Sequence, residues 1–197
     1  MERTDAAGVR LGMWLFLYTE IMLFGGLFVL YSVYRHRYQA AFAAGGLELE
    51  LPLGALNTCV LLASSFAVAA AVESVRRGLK KAALAFLGSA ALLGAVFLLV
   101  KYGEWSRKFA LGLYPGGARL SAEPGGFKAF FGLYYALTGL HALHVSIGCL
   151  ALGVCWALVW KGAVHGGRLN VLENSGLYWH LVDIVWIFLF PLFYLVA

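Results

Sequence analysis

The stretch FKAFFGLYYALTGLHALHVSIGCLALGVCWALVW, residues 127–160, decides the fold of this chain. Lys128 is its only Lys, Arg, Asp or Glu. A transmembrane helix needs about 20 predominantly apolar residues, because the hydrocarbon core of a bilayer is about 30 Å thick. The stretch is longer than one span requires, so we expect it to tilt or to project beyond the membrane. It lacks the alternation of polar and apolar residues that is typical of membrane β-strands.

Four further apolar runs are long enough to span a bilayer, and they are Leu11–Tyr34, Leu53–Val75, Ala82–Trp105 and Leu177–Val196. Of all residues, 62% are hydrophobic and only 13% are charged, and the mean hydropathy is +0.81. An ordinary soluble domain is about 45–50% apolar and about 25% charged. The composition therefore excludes a soluble enzyme domain. The five runs predict an all-α integral membrane protein, a bundle of five transmembrane helices in a single membrane domain, residues 1–197.

The basic residues are distributed unevenly between the connections. The net charge is +5, but Lys and Arg are scattered between apolar runs, which is typical of loops at lipid headgroups and not of a nucleic-acid site. The densest cluster, RRGLKK at residues 76–81, lies on the same predicted side as the N-terminus, and that side holds more Lys and Arg than the other. We therefore predict a cytoplasmic N-terminus and, after five spans, a periplasmic C-terminus.

Several ionisable or polar side chains lie within the predicted spans. An ionisable group in mid-span costs roughly 2.5–3.5 kcal/mol on insertion scales, so each one needs an explanation. Glu20, in the middle of the first run, is either a proton-exchanging or interface carboxyl, or a protonated carboxyl bonded to a neighbouring helix. Glu104 can pair with Lys101 or Lys108 at helical spacing, as an interfacial ion pair or as a contact to a ligand or lipid headgroup. Asn57 is typical of polar side chains that cross-link helices.

The sharpest polar cluster lies in the last two predicted helices. His141 and His144 are three residues apart in the fourth helix, and His180 and Asp183 are three residues apart in the fifth. Imidazoles and carboxylates can ligate a metal or a haem, and a carboxylate–histidine pair can move protons. The same groups can also form a hydrogen-bond network that locks the two helices together. The residues alone leave these three interpretations open.

Five segments of this sequence, taken in chain order, resemble segments of cytochrome c oxidase subunit III, a family of haem-copper terminal oxidase subunits. They are Gly12–Gly26, Leu56–Ser65, Glu104–Trp105, Leu137–Val145 and Tyr178–Trp186. The matches keep the family order and cover nearly the whole chain, so the resemblance is specific. Long members of the family have seven helices, and the first two have no counterpart here. The five-helix form resembles bacterial short members, including those of quinol oxidases and proteins associated with nitric oxide reductase.

The resemblance implies a non-catalytic subunit of an aerobic respiratory haem-copper oxidase in a bacterial inner membrane. Such a subunit packs beside subunit I, shares the complex with subunit II, and supports proton uptake during oxygen reduction. No haem, copper or other metal is expected on this chain, since the redox centres belong to the partner subunits. Bound phospholipid and a respiratory supercomplex are further partners that the resemblance implies.

The resemblance also assigns roles to individual residues. Glu20 takes the place of the family's buried glutamate that reacts with carboxyl reagents, and no catalytic residue is expected. The structural polar network or lipid contacts then fall to Asn57, Glu104, His141, His144, His180 and Asp183.

Other interpretations remain open at the level of the sequence. The histidine cluster motivates a stand-alone membrane cytochrome or metalloprotein, and Glu20 motivates a proton transporter. Within the family, the segment Asn57–Val60 resembles the cytochrome c branch more than the quinol branch. We therefore expect a subunit of a cytochrome c oxidase, with a quinol oxidase or a nitric oxide reductase-associated homologue as the alternative.

Overall fold

The computed structural model describes residues 2–165 and 169–195, with side chains from residue 8 onward, and that part of the chain is helical with no strand. Five helices are long and apolar enough to cross a membrane. They are α1 (Glu2–Arg37), α3 (Leu51–Arg76), α4 (Lys80–Ala110), α6 (Gly125–Trp160) and α7 (Asn170–Tyr194). The prediction of an all-α membrane protein with five spanning helices is confirmed, and the chain is a multi-pass membrane protein.

Two short helices lie in connections where the sequence pattern indicated only loops. They are α2 (Gln39–Leu47) and α5 (Ala118–Ala122). The spanning helices also extend past several of the apolar runs, and α7 begins seven residues before Leu177. Hydropathy marks only the length of a helix that lies within the hydrocarbon core. The helical backbone hydrogen bonds continue beyond it, into polar sequence at the membrane surface. Val196, the last residue of the fifth predicted run, lies outside the described residues.

Four of the spanning helices form a closed ring. α4 packs against α3 and α6, and α7 packs against the same two helices, so each helix of the ring has two neighbours. α3 and α4 are joined by a tight turn at Gly78, whose φ of +73° lies in the left-handed region that glycine adopts without a Cβ clash. The ring encloses the buried side chains of Lys101, Glu104 and His141.

The ring is held closely together around Trp179 of α7, which is fully buried. A Cβ on Gly94 of α4 would lie 2.6 Å from this indole, and so would a Cβ on Gly148 of α6. Only glycine leaves room for the indole at these two positions. Small residues of this kind let membrane helices approach each other, because packing drives helix association in lipid.

α1 lies outside the ring, against α6 and α7. Its buried residues Leu17, Phe24 and Tyr31 are spaced seven apart and form a single seam along one side of the helix. The hydroxyl of Tyr31 donates to the carbonyl oxygen of Leu192 and so ties the end of α1 to the end of α7. Most of the remaining α1 surface is apolar and exposed.

Charged side chains close one end of the bundle. Arg107 at the end of α4 bonds to Glu50 at 2.8 Å, and Arg119 of α5 bonds to Glu48 at 2.9 Å. Lys108 donates to the backbone carbonyl of Glu48. These contacts hold the connection between α2 and α3 against the end of α4, the helix that carries Glu104.

Candidate functional site

Glu20 of α1 and His144 of α6 form a pair where these two helices meet. Oε2 of Glu20 lies 2.8 Å from Nε2 of His144, and the side chains are 13% and 11% exposed, respectively. Nδ1 of the same ring lies 2.7 Å from the carbonyl oxygen of Leu140. Phe24 packs edge-on against the imidazole with ring centroids 5.3 Å apart. The pair joins the outlying helix to the ring by the only polar side-chain contact between α1 and α6 in the described part of the chain.

The hydrogen-bond partners fix how many protons this pair holds. A carbonyl oxygen only accepts, so Nδ1 of His144 must carry a proton in order to bond to Leu140. One further proton then lies between Nε2 and the Glu20 carboxyl. Either the carboxyl donates to the ring, or the protonated ring donates to the carboxylate. Both arrangements are neutral overall, which suits a site in the hydrocarbon layer where isolated charge is costly.

His141 lies one helical turn before His144 but points into the ring of helices. The imidazole is fully buried, stacked on Trp186 with centroids 5.3 Å apart, and edge-on to Phe97 at 5.4 Å. Neither ring nitrogen has a hydrogen-bond partner among the described residues. His141 therefore acts on its described neighbours through aromatic packing.

Asn57 and Asp183 are buried as well, and their side-chain polar atoms have no hydrogen-bond partner in the described segments. The side-chain bond from α3 to α4 is made by Ser64, whose hydroxyl donates to the carbonyl oxygen of Ala90 at 2.9 Å. Asn57 shares a helix face with Ser64, so the polar face of α3 that holds the bonding residue is recognisable in the sequence.

His180 of α7 pairs with Ser65 of α3, with Nδ1 and Oγ only 2.6 Å apart. Both side chains are partly exposed at the outer surface of the bundle. The expected neighbour of His180 in the sequence, Asp183, points into the interior instead. Ser65 lies in the family-like segment Leu56–Ser65, but no local pattern there indicates its contact with His180.

Glu104 lies in a buried polar cage inside the ring. Nζ of Lys101 is 3.1 Å from Oε2 of Glu104, and the hydroxyls of Tyr134 and Tyr194 donate to the same carboxylate at 2.7–2.8 Å. Lys101 also contacts both hydroxyls, at 3.0 and 2.6 Å. The expected pairing of Glu104 with Lys101 is present, but the pair is buried rather than interfacial: the side chain of Lys101 is 2% exposed and that of Glu104 is 0% exposed.

Three aromatic faces complete this cage around the lysine. Nζ of Lys101 lies 4.7 Å from the ring centroid of Tyr134, 5.2 Å from that of Tyr194 and 5.4 Å from that of Trp186. Cation–π contacts of this kind favour an ammonium ion that has been removed from water. The aromatic residues lie in apolar runs, so nothing in their sequence context separated them from lipid-facing aromatics.

The structure thus distributes the predicted site residues over separate places. His144 contacts Glu20 across α1 and α6, His180 contacts Ser65 across α3 and α7, and Glu104 lies in the lysine–tyrosine cage. Across residues 2–165 and 169–195, no group of three or more His, Cys, Asp and Glu side chains is close enough to hold a metal ion. The Glu20–His144 and His180–Ser65 contacts each join two helices.

Comparison with known proteins gives a consistent result. The chain matches the family model described as cytochrome c oxidase subunit III over residues 2–197. It is 34% identical over 186 residues to the cytochrome bo(3) ubiquinol oxidase subunit 3 of Pseudomonas aeruginosa, covering 94% of this chain and 84% of that protein. It is 33% identical over 192 residues to the cytochrome c oxidase subunit 3 of Thermostichus vulcanus, covering 95% and 87%. A match to the heme-copper oxidase subunit I+III of Aeropyrum pernix, 31% identical over 195 residues, covers 95% of this chain and 23% of that longer protein.

Proposed function

Because the chain belongs to the cytochrome c oxidase subunit III family, and is therefore a subunit III of a haem-copper oxidase, we propose that it is a non-catalytic subunit that stabilises subunit I and supports proton uptake during oxygen reduction. The chain is accessory to an oxidoreductase complex and performs no redox step itself. The haem and copper belong to the partner subunits in this proposal.

The Glu20–His144 pair is the observation that carries the proton-related part of the proposal. It holds one proton between two groups 2.8 Å apart and remains neutral overall whichever group carries that proton. Such a pair can relay a proton and stay neutral only when one proton arrives as another leaves, because gain or loss of a proton alone would place a net charge in the hydrocarbon layer. Its partial exposure, 11–13%, gives the pair access to the outer surface of the bundle, where another subunit or a lipid can reach it.

The proposed main partner is subunit I. In the Aeropyrum pernix relative, which is named subunit I+III, one chain joins a subunit I to a subunit III. Two parts of one polypeptide share a membrane and a complex, which supports direct contact between the separate subunits here. Subunit II, bound lipids and a respiratory supercomplex are the further partners that this proposal includes.

The proposed electron donor of the complex is cytochrome c, with quinol as the alternative. Relatives with similar identity are named for each donor, 33% for a cytochrome c oxidase subunit and 34% for a ubiquinol oxidase subunit. Oxygen uptake by the purified complex, measured with reduced cytochrome c and separately with a quinol, distinguishes the two. A co-purifying nitric oxide reductase would instead favour the nitric oxide reductase-associated alternative.

The proposed location is the bacterial inner membrane, with the whole chain as one membrane domain and the N-terminus in the cytoplasm. The basic connection Arg76–Lys81 would then face the cytoplasm, as the distribution of Lys and Arg predicts. The cage around Glu104 and the charged contacts of Glu50 and Glu48 would lie toward the periplasm. Labelling of single cysteines by a membrane-impermeant thiol reagent in intact cells tests this orientation.

Deletion of the gene tests the accessory role. We expect the remaining complex to keep its haem spectrum and its initial oxygen consumption, and to lose activity faster during continuous turnover. Complementation with the unaltered chain should restore the slower decay. Loss of the haem from the remaining complex, or an unchanged decay of activity, would contradict the proposal.

A further inference from the structure

The charged cage around Glu104 lies close to one end of the bundle and is nevertheless closed to the outside. Glu104 is six residues before the end of α4 at Ala110, which is about 9 Å along the helix, and Tyr194 is the last residue of α7. The side chains of Lys101 and Glu104 are 2% and 0% exposed, respectively. Some part of the chain must therefore cover the cage on the side of the aqueous phase.

The connection between α2 and α3, residues 48–50, lies next to the cage, and we call it the latch segment. Glu50 directly precedes α3. Gly54, in the first turn of that helix, lies against Tyr194, since a Cβ there would be 2.9 Å from the tyrosine ring. The hydroxyl of the same tyrosine donates to Glu104. The latch segment is therefore about one helical turn from a residue that contacts the cage.

Three cations hold the latch segment against the ends of the neighbouring helices. Arg107 of α4 bonds to Glu50 at 2.8 Å, and Arg119 of α5 bonds to Glu48 at 2.9 Å. Lys108 of α4 donates to the backbone carbonyl of Glu48. The side chains of Glu50 and Glu48 are 36% and 30% exposed, so water and dissolved salt reach both ion pairs. The position of the segment thus depends on charges that the solution can screen.

Apolar packing fixes the two flanks of the latch segment independently of these charges. Phe42 of α2 is fully buried, with its ring edge-on to Tyr31 and Phe130 at centroid distances of 5.3 and 5.4 Å. On the other flank, a Cβ on Gly54 of α3 would lie 2.9 Å from Phe190. Partly exposed ion pairs contribute little to stability, whereas buried aromatic side chains contribute much more. The segment can therefore lose its ion pairs while α2 and α3 stay in place.

We propose that the latch segment is a salt-sensitive closure that keeps water away from the buried Lys101–Glu104 pair. With the ion pairs of Glu48 and Glu50 in place, Leu49 stays packed in the core, where it is 8% exposed. When both ion pairs are lost, the segment moves away and water reaches the ammonium and the carboxylate. A hydrated pair attracts more weakly than a buried one. Charge at the membrane surface thereby controls a contact inside the ring of helices.

Chemical labelling of carboxyl groups in open membrane fragments tests this closure. The reagents are a water-soluble carbodiimide and an amine, and peptide mass spectrometry locates the products. Glu104 reports its own exposure, either by coupling to the amine or by forming an amide with Lys101. In the unaltered chain we expect reaction at Glu50 but not at Glu104. In the double variant Glu48→Gln with Glu50→Gln we expect the reaction at Glu104 to rise severalfold. Asp183, buried inside the ring at 4% exposure, should stay unreacted in both.

Two further sets of variants serve as controls. Glu123→Gln removes a carboxylate at the same end of the bundle, and Glu123 forms no ion pair within the described residues, so Glu104 should stay unreacted. Glu50→Arg alone places two cations together and should expose Glu104. Adding Arg107→Glu to it restores one ion pair with its charges exchanged and should protect Glu104 again.

The unaltered chain provides a test that needs no substitution. Raising the salt concentration from about 0.1 M to about 1 M shortens the Debye length from about 10 Å to about 3 Å. We expect this change to increase the reaction at Glu104 in the unaltered chain and to have no effect in the double variant. A Glu104 that stays unreacted both at high salt and in the double variant would overturn the closure. Reaction of Asp183 together with Glu104 would also overturn it, because the whole ring would then have opened.

Discussion

The carboxyl of Glu20 and the imidazole of His144 are 124 residues apart in sequence and 2.8 Å apart in space. This contact ties the outlying helix α1 to the ring of four helices. Because Nδ1 of the same imidazole bonds to Leu140, the two groups share one proton. The pair is therefore an attachment point between helices and the site that we propose for proton uptake, and the two roles can be separated by substitution.

Glu20→Gln separates the proton from the attachment. The carboxamide has nearly the same size, and its N–H can donate to Nε2 of His144, so we expect the complex to assemble with unchanged initial activity. The amide does not exchange its proton in the way a carboxyl does, so we expect oxygen consumption to decay faster during continuous turnover. Decay at the unaltered rate would show that Glu20 serves attachment alone.

Glu20→Leu is the matched variant that removes both roles. It leaves Nε2 of His144 without a partner, which costs about 1–3 kcal/mol when a polar group is buried. We expect a lower midpoint of thermal unfolding for the purified complex than with Glu20→Gln. Equal midpoints would mean that the pair does not hold α1 in place.

The two histidines of α6 should respond differently to replacement by phenylalanine. His141→Phe keeps an aromatic ring between Phe97 and Trp186 and breaks no hydrogen bond to a described residue, so we expect little change in thermal stability. His144→Phe loses the bonds to Glu20 and Leu140 and should destabilise by about 1–3 kcal/mol. The midpoints of thermal unfolding of the two purified complexes measure this difference in stability. A His141→Phe complex that is as unstable as His144→Phe would show that His141 has a polar partner in the assembled oxidase.

Lys101→Met should be among the most destabilising changes in the ring. It leaves the carboxylate of Glu104, which is fully buried, with its tyrosine donors but no cation. Removing one partner of a buried ion pair costs about 3–5 kcal/mol, because the remaining charge is uncompensated. Expression level and thermal unfolding measure the effect.

The double variant Lys101→Met with Glu104→Gln provides the control for that prediction. The neutral amide can still accept a hydrogen bond from Tyr134 or Tyr194, and no unpaired charge remains. We expect it to recover much of the lost stability. A double variant as unstable as Lys101→Met alone would indicate that shape, rather than charge, determines the packing of the cage.

Gly148→Ala tests the close approach of α6 and α7. The added Cβ would lie 2.6 Å from the ring of Trp179, and such overpacking typically costs about 1–3 kcal/mol. Gly153→Ala, on the same helix with nothing within 4 Å of the new Cβ, should be neutral or stabilise by up to about 1 kcal/mol, because alanine favours helix more than glycine does. Thermal unfolding of both variants distinguishes a local clash from a general effect of glycine replacement.

The five spanning helices were predictable because hydropathy over about 20 residues is a local property of the sequence. The short helix α2 was not, since its sequence QAAFAAGGL is too short for a membrane run. The polar residues within the spans were equally recognisable from the sequence. Each one costs free energy on insertion into the membrane, so each one is expected to have a structural or functional role.

The partners of those polar residues were not predictable, because they depend on how helices rotate and slide against each other. Glu20 and His144 were both expected to be important, yet nothing local to either one indicates the other. Lys101 and Glu104 were paired correctly because helical spacing joins them within one element. Their tyrosine partners come from α6 and α7, and a tyrosine in an apolar run is equally typical of a lipid-facing or interface position.

The single seam of α1 has a consequence for biosynthesis. Its contacts in the ring, α6 and α7, are the last two helices to leave the ribosome, whereas α3 and α4 can pair as a hairpin as soon as they are inserted. The first helix to enter the bilayer must therefore wait, without a partner, until translation of the chain is nearly complete. A nascent chain stalled before α6 would lack His144 and so display the carboxyl of Glu20 to lipid without its partner.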